Sequence, residues 1–327
     1  MTSLIAIASK QVQLQELVAC IRHFDVQDVK LRLFNHQGRI SPDGARNAIG
    51  EVCPDTKLDV GTFAIDDRRA IAEILDQPAD IVAFPLYRAS ALYRRVPSLR
   101  RRSSIVHITD GLGDLFTMWE LQRAVIAKTR MALLKGALVI PQLALLRADL
   151  EFNLFHPMKT PYAKKSLPVG PFPITRAKRE ALDNLLKRFS PEALVIDGFD
   201  LKAEHIAAEL GIDSYVATRR DGGIDINGQT YLEDEIICAE EVLAMRRPSL
   251  VVGCPSTSLA AARALDGDIP TFCLTTAEAL RIRGPRFNVI FQAYGERFGI
   301  IFSEAENIRD QLSDFRERLP GREKACA

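Results

Sequence analysis

The chain has 327 residues, which exceeds a typical single domain and favours two domains of roughly 150 residues each. Its 43 basic and 42 acidic residues give a net charge of +1, so the composition carries no signal for a nucleic-acid partner. Six cysteines are scattered without CxxC pairs or zinc spacing. No secretion signal and no apolar run of about 18 residues is found. We therefore expect a cytoplasmic protein without a metal centre or cofactor.

In the first half of the chain, short apolar runs alternate with helical patterns. The predicted strands are 4–8, 30–34, 62–65, 80–85 and 104–109, and the predicted helices lie near 11–23, 68–75 and 113–135. Strands that alternate with helices predict parallel pairing through right-handed crossovers.

Residues 157–173 interrupt this rhythm, because five prolines and a glycine leave no room for a long helix or a central strand. The alternation then resumes. The predicted helices are 175–189, 201–210, 233–247 and 257–265, and the predicted strands are 193–199, 214–218, 249–254 and 269–274. The glycines at 222–223 and Asn227-Gly228 predict a turn or a hairpin.

This pattern predicts an α/β protein built from two Rossmann-like domains that face a cleft. The expected boundaries are 1–156 for the first domain, 157–173 for a proline-rich linker, 174–302 for the second domain and 303–327 for a C-terminal helix and tail. In such folds ligands bind at the carboxyl ends of the strands.

The most informative segment is 249–265, where an apolar strand meets three consecutive hydroxyl residues and then an Ala-rich helix. The free N–H groups and the dipole of a helix N-terminus bind phosphate or carboxylate. Ser256, Thr257 and Ser258 add hydroxyl donors at the same point. The alternative is an ordinary helix cap by Ser256 or Ser258, which contributes roughly 1 kcal/mol.

A second candidate site follows the strand 104–109, where Asp110 is followed by Gly111 and Gly113. A carboxylate at this strand end could act as a general base on an acceptor hydroxyl. The alternative is an Asx turn or helix cap by Asp110. We expect His107, within the strand, to be a core histidine.

Three further segments carry weaker signals. His156 begins the proline-rich crossing and could reach the cleft, or it could pack against the linker as a loop histidine. Glu233 and Glu235 are predicted in the first turn of helix 233–247, where they could bind a sugar diol or only complement the helix dipole. The basic run 94–102 is either a solvated surface or a contact for anionic lipid headgroups, which would make the protein peripheral to the inner membrane.

The order of these motifs resembles the bacterial sialyltransferases and polysialyltransferases that build lipooligosaccharide and capsule. Thr109-Asp110-Gly111, His156-Pro157, the glutamates of 233–236 and Ser256-Thr257-Ser258 carry the resemblance, which spans most of the chain. It implies a GT-B glycosyltransferase with an acceptor domain at 1–156, a donor-nucleotide domain at 174–302 and Asp110 as the catalytic base. It further implies donor binding by Gly111, His156, Ser256, Thr257 and Ser258, with Glu233 or Glu235 at the glutamate position.

The resemblance also implies the partners and the reaction. The donor would be a nucleotide sugar, CMP-sialic acid above all, and the acceptor a surface glycan or glycolipid. Transfer would proceed with inversion while Asp110 deprotonates the acceptor hydroxyl.

In the family the His-Pro motif lies in the second domain, where this chain has the segment 194–200 instead. Two alternatives therefore remain: a GT-B enzyme that uses another nucleotide sugar, and a non-catalytic GT-B-like binding protein.

Overall fold

The protein is described from a computed structural model that covers residues 1–34, 40–63, 68–85, 96–109, 147–156, 160, 162–197, 202–219, 222–254, 256–274 and 295–303. Contacts among these residues define two compact units. One unit holds the described residues up to Arg179, and the other holds those from Glu180 onward.

The first unit contains seven strands and four helices within the described ranges. In chain order they are β1 (Thr2–Ala8), α1 (Gln13–Phe24), β2 (Val26–Phe34), α2 (Pro42–Val52), β3 (Lys57–Phe63), α3 (Arg68–Leu75), β4 (Ile81–Phe84), α4 (Val96–Leu99), β5 (Ser104–His107), β6 (Ala148–Asn153) and β7 (Ala163–Pro168).

These strands form one parallel sheet in the order β3-β2-β1-β4-β5-β6-β7. The order reverses between β1 and β4, which makes their carboxyl ends the topological switch point of the sheet. Because β1 has a neighbour on each side and is covered on both faces, it is a continuous buried run from Leu4 to Ala8.

Local sequence signals explain the helices that cover this sheet. The apolar positions Leu14, Leu17, Val18 and Ile21 of α1 recur at helical spacing and enter the core. Helix α2 begins at a Ser41 cap, whose Oγ accepts a hydrogen bond of 2.8 Å from the Gly44 N–H, and Pro42 occupies its first turn.

The second unit contains a second seven-stranded sheet. Its elements in chain order are α5 (Arg176–Phe189), β8 (Ala193–Ile196), α6 (Ala203–Leu210), β9 (Tyr215–Thr218), β10 (Ile224–Ile226), β11 (Gln229–Tyr231), α7 (Ala239–Met245), β12 (Leu250–Gly253), α8 (Thr257–Leu265), β13 (Thr271–Leu274) and β14 (Ile301–Ser303). The first turn of α5 belongs to the first unit. A helical turn at 295–298 precedes β14.

The second sheet has the order β11-β10-β9-β8-β12-β13-β14. Its strands β9, β8, β12, β13 and β14 are parallel, and the antiparallel hairpin β10–β11 extends the β9 edge. The predicted Asn227-Gly228 turn joins this hairpin, and both of its residues have positive φ. Here the switch point lies between β8 and β12.

The alternation of strands and helices predicted from the sequence is confirmed, and each unit has the parallel sheet of a Rossmann-like α/β fold. The structure observed within the predicted linker, residues 157–173, differs from the prediction. Its residues Ala163–Pro168 form β7, which pairs only with β6 at the sheet edge, and the boundary between the units falls inside α5. An edge strand tolerates prolines because one side of its backbone needs no ladder partner. The predicted helix 113–135 and the tail 304–327 lie outside the described residues.

Candidate functional site

In the second unit, the carboxyl ends of β8 and β12 approach each other closely at the switch point. The Cys254 N–H donates to the Ile196 carbonyl over 3.2 Å. A Cβ on Gly253 would overlap that carbonyl oxygen and lie 2.6 Å from the Cβ of Ile196. Glycine is therefore required here.

The three hydroxyl residues after this turn have three different environments. The Ser256 Oγ caps α8 and accepts a hydrogen bond of 3.2 Å from the Ser258 N–H. The Ser258 Oγ donates to the Glu240 carboxylate over 2.7 Å, and both of these side chains are buried. Thr257 is half-buried, and its hydroxyl makes no hydrogen bond to any residue that the structure describes. The helix cap predicted as an alternative is present at Ser256.

The glutamate beside this turn is Glu240, in the first turn of α7, and the sequence analysis missed it. Helix α7 begins after Cys238, whose N–H donates to the Glu241 carboxylate over 2.8 Å in a capping box. The spacing of Cys238 and Glu241 was a usable signal, although cysteine is an uncommon residue in the first position of this motif.

The predicted placement of Glu233 and Glu235 in a helix is wrong, because both lie in an exposed turn. The backbone of this turn packs on two glycines: a Cβ on Gly222 would lie 2.6 Å from the Glu233 carbonyl oxygen, and Gly223 donates its N–H to the Glu235 carbonyl over 2.7 Å. These main-chain contacts hold 233–235 out of a helix, so the helix dipole has no part in placing the two carboxylates.

Asp197 directly follows β8, within the segment 194–200. Its carboxylate accepts a hydrogen bond of 2.5 Å from the Ala203 N–H and so caps the start of α6. Asp197 and Glu240 both bring negative charge to the side of the second sheet where β8 and β12 end. Two carboxylates there oppose the binding of a highly charged anion.

In the first unit, a buried polar network connects the end of β5 to the start of α1. Thr109 donates its N–H to the Glu16 carboxylate over 2.6 Å and its hydroxyl to the other oxygen of that carboxylate. The Gln13 amide donates to the Thr109 carbonyl over 2.8 Å. All three side chains are buried. Thr109 is the last described residue before the candidate base, since Asp110 and Gly111 lie outside the described residues.

The same Gln13 side chain closes the β1–α1 loop. Its Oε1 accepts hydrogen bonds from the Ser9 N–H over 2.6 Å and from the Lys10 N–H over 3.1 Å. These are N–H groups that a phosphate-binding loop would present to its ligand. In this chain both are occupied by a side chain of the protein itself.

The loop after β6 carries His156, which is exposed. Asn153 accepts hydrogen bonds from the Phe155 N–H over 2.8 Å with its side chain and from the His156 N–H over 3.2 Å with its carbonyl. At the far end of the loop, Thr160 donates its N–H to the buried Glu151 carboxylate over 2.9 Å, and its hydroxyl donates to the other oxygen. Both ends of the loop are therefore fixed.

His107 is buried, as predicted, and its ring packs on Tyr162 with centroids 5.2 Å apart. In the basic run 94–102, two arginines have structural partners. Arg100 donates to the Arg147 carbonyl, and Arg102 donates to the carbonyls of Leu75 and Asp76 at the end of α3. Arg101 is exposed.

Within the described ranges, no three His, Cys, Asp or Glu side chains are placed to hold a metal ion. Among the described helices, none has the length and apolarity needed to cross a bilayer. No protein family and no curated protein matches this chain.

Proposed function

We propose that the protein is a glycosyltransferase of the GT-B type that transfers a sugar with inversion from a nucleotide-sugar donor to a glycan or glycolipid acceptor. The observation that carries this proposal is the position of Thr257 beside the Ser256 cap. This hydroxyl lies at the N-terminus of α8, at the switch point of the second sheet. The resemblance to bacterial sialyltransferases supports CMP-sialic acid as the donor.

A contrast between the two units supports binding of the nucleotide by the second one. In the first unit, Gln13 occupies the N–H groups of Ser9 and Lys10 in the loop at the switch point. In the second unit, the corresponding strand–turn–helix presents the Thr257 hydroxyl next to a helix N-terminus. The first unit is then left to bind the acceptor.

Electrostatics favour a donor with a single phosphate. The Glu240 carboxylate is hydrogen-bonded to Ser258 in the first turn of α8 and offsets part of the positive end of the helix dipole. Asp197 adds a second carboxylate after β8. The phosphate linkage of a CMP-sugar carries one negative charge, whereas the diphosphate of a UDP- or GDP-sugar carries two and is repelled more strongly at this point. The carboxylate of sialic acid adds a second charge to CMP-sialic acid, so the difference concerns the phosphate position alone.

The proposed reaction is a direct displacement. Asp110 accepts the proton of the acceptor hydroxyl, and the hydroxyl oxygen attacks the anomeric carbon of the donor sugar. The bond between that carbon and the phosphate oxygen breaks, and CMP leaves with the bonding electrons. Thr257 and the N-terminus of α8 stabilise the charge that develops on the leaving phosphate. Gly111 and His156 are proposed to contact the donor.

Ligand-dependent thermal unfolding tests the donor assignment. We expect CMP to raise the melting temperature, and UDP and GDP to do so less or not at all. Asp110→Ala should abolish transfer from CMP-sialic acid and keep the CMP-dependent shift, whereas Thr257→Ala should reduce that shift. Full transfer by Asp110→Ala would remove the assigned base, and a larger shift with UDP or GDP would assign a different donor.

A second candidate function is a non-catalytic nucleotide-binding protein of the same architecture. It is favoured by Asp197, because a helix-capping carboxylate occupies the place where the resembling enzymes carry a His-Pro donor contact. This function would be selected if CMP stabilises the protein while neither the wild type nor Asp110→Ala transfers sugar to a surface glycan.

A further inference from the structure

The proposed function makes no use of the hairpin turn at Asn227-Gly228, which is the only Asn-Gly pair in the sequence. Both residues have positive φ, 52° for Asn227 and 80° for Gly228, as a tight turn between β10 and β11 requires. Asn227 is exposed, and glycine places no side chain over the peptide nitrogen that follows the asparagine. An asparagine in this setting can lose its side-chain amide by an intramolecular reaction.

That reaction joins the Gly228 nitrogen to the Cγ of Asn227. The nitrogen attacks Cγ with its electron pair and gives up its proton, while the bond from Cγ to the side-chain nitrogen breaks and ammonia leaves. Water then opens the cyclic imide at either of its two carbonyls and produces aspartate or isoaspartate. The net reaction consumes a water molecule and releases ammonia, and nothing is oxidised or reduced.

In the folded protein, Tyr215 holds both of the groups that would react. Its main-chain N–H donates to the Asn227 Oδ1 over 2.8 Å, and its carbonyl accepts the Asn227 N–H over 3.2 Å. Its hydroxyl oxygen accepts a hydrogen bond from the Gly228 N–H and lies 3.8 Å from the position of a Cβ on that glycine. The amide carbon and the nitrogen can therefore meet only after these hydrogen bonds are broken.

The surroundings also keep the Tyr215 hydroxyl from acting as a base on the Gly228 nitrogen. Burial is the largest cause that raises the pKa of this hydroxyl, and negatively charged side chains raise it further. Those side chains are Glu204, Asp225 and Asp197. The hydroxyl consequently stays protonated in mildly alkaline solution, where the free reaction is fast.

We propose that Asn227 is a deamidation site that Tyr215 keeps unreactive in the folded protein, so that the amide is lost when the β9–β10 edge opens. Local opening of a sheet edge takes less free energy than global unfolding. Isoaspartate adds a methylene group to the main chain, which the tight turn does not accommodate. Each opening that leads to reaction is thus recorded by a permanent change at the edge of the second sheet.

Deamidation rates in the full-length protein test this proposal. The conversion of Asn227 to aspartate and isoaspartate is followed by peptide mass spectrometry in mildly alkaline buffer, well below the melting temperature of each variant. We expect the folded wild type to react at least tenfold more slowly than the same chain unfolded in urea. Tyr215→Phe removes the hydroxyl and keeps the main-chain N–H and carbonyl, and it should react at least threefold faster than the wild type.

Tyr231→Phe is the matched control. It removes another tyrosine hydroxyl of the same hairpin, which donates to Gln229 over 2.7 Å and contacts neither reacting group. This variant should deamidate at the wild-type rate, and its melting temperature shows how much of any change comes from general loss of stability.

Three results would overturn the proposal. An unfolded chain that keeps its amide shows that Asn227 is no deamidation site, and a folded wild type as fast as the unfolded chain shows that folding gives no protection. Equal rates in Tyr215→Phe and Tyr231→Phe remove the role of the Tyr215 hydroxyl. None of these measurements uses sugar transfer or nucleotide binding, so failure of the proposed glycosyltransferase would leave them unchanged.

Discussion

The hydroxyl turn of the second unit shows how three adjacent residues of similar chemistry acquire separate roles. The Ser256 Oγ caps α8, and the Ser258 Oγ satisfies a buried carboxylate. The Thr257 hydroxyl has no hydrogen-bond partner among the described residues. Ser256 has an extended backbone before the helix, which turns its Oγ back to the Ser258 N–H. Thr257 and Ser258 are helical, and residues one position apart on a helix point about 100° apart.

At this scale, we expect Ser258→Ala to destabilise the protein by about 2 kcal/mol, because it leaves the Glu240 carboxylate buried without its hydroxyl donor. Ser256→Ala should cost about 1 kcal/mol through loss of the helix cap. Thr257→Ala is the control and should change the free energy of unfolding by less than about 0.5 kcal/mol. Urea unfolding measures all three, and a Ser258→Ala variant as stable as Thr257→Ala would contradict the buried pair.

The residues of this site were predictable only in part. An apolar strand followed by hydroxyl residues and a helical pattern was sufficient to predict a cap at Ser256 or Ser258, and the cap is at Ser256. The acidic run 233–235 was predicted in a helix and lies in a turn, because its main chain packs on Gly222 and Gly223, which is a tertiary contact. The sequence spacing of Glu240 and Ser258 gives no sign that they meet, since it is the packing of α7 against α8 that brings them together.

At the scale of secondary-structure elements, the close approach of β12 to β8 depends on Gly253. We expect Gly253→Ala to lower the free energy of unfolding by about 3 kcal/mol, since a Cβ there overlaps the Ile196 carbonyl oxygen and the two residues lie in paired strands that cannot move apart freely. Gly267→Ala is the matched control, because a Cβ at Gly267 would meet nothing within 4 Å. Equal stability of the two variants in urea unfolding would contradict the close packing.

The amino ends of β5, β6 and β7 are joined by Asp149, which accepts hydrogen bonds from the Ile105 N–H over 3.1 Å and from Lys164 over 2.8 Å. Burial raises the pKa of Asp149, but the hydrogen bonds from Lys164 and Ile105 and the charges of Lys164 and Arg100 together lower it below the usual aspartate value. The folded state therefore holds the ionised form more strongly than the unfolded state does.

This shift makes the contribution of Asp149 dependent on pH. A lowered folded-state pKa adds stability above the unfolded value of about 3.9, and that stability is lost as the pH falls through the folded-state pKa. We expect the wild type to exceed Asp149→Asn in stability at pH 6 and the difference to shrink towards pH 2.5. Asp183→Asn removes a surface pair with Lys187 and serves as the control. Urea unfolding across this range checks the trend, which a constant difference would contradict.

Strand prediction succeeded where both faces of a strand are buried and was less exact at the two edges of the first sheet. The continuous apolar runs of β1, β4, β8, β12 and β13 were all predicted at or near their observed positions. The edge strand β3 was predicted at 62–65 and is observed at Lys57–Phe63, where charged and apolar residues are mixed and most side chains are not fully buried. The edge strand β7 was read as a linker because of the prolines around it. Edge strands have a single neighbour, so their composition is less constrained.

At the scale of the whole molecule, each unit has its own seven-stranded sheet and its own buried cluster of apolar side chains. Units with separate cores can unfold in separate steps. We therefore expect two transitions in a thermal scan. Leu31→Ala, in the core of the first unit, should lower one of them, and Gly253→Ala should lower the other, because a buried leucine truncation costs about 2–5 kcal/mol within the unit that contains it.

These two variants also show which unit binds the nucleotide. If the hydroxyl turn holds the phosphate, CMP at 100 times its dissociation constant adds about 2.7 kcal/mol to the unit that contains the turn and nothing to the other. We therefore expect CMP to raise only the transition that Gly253→Ala lowers, and to raise it less in Thr257→Ala. An increase confined to the transition that Leu31→Ala lowers would place the nucleotide in the first unit. The Ser9 and Lys10 N–H groups would then have to leave Gln13 in order to bind it, and the roles proposed for the two units would be reversed.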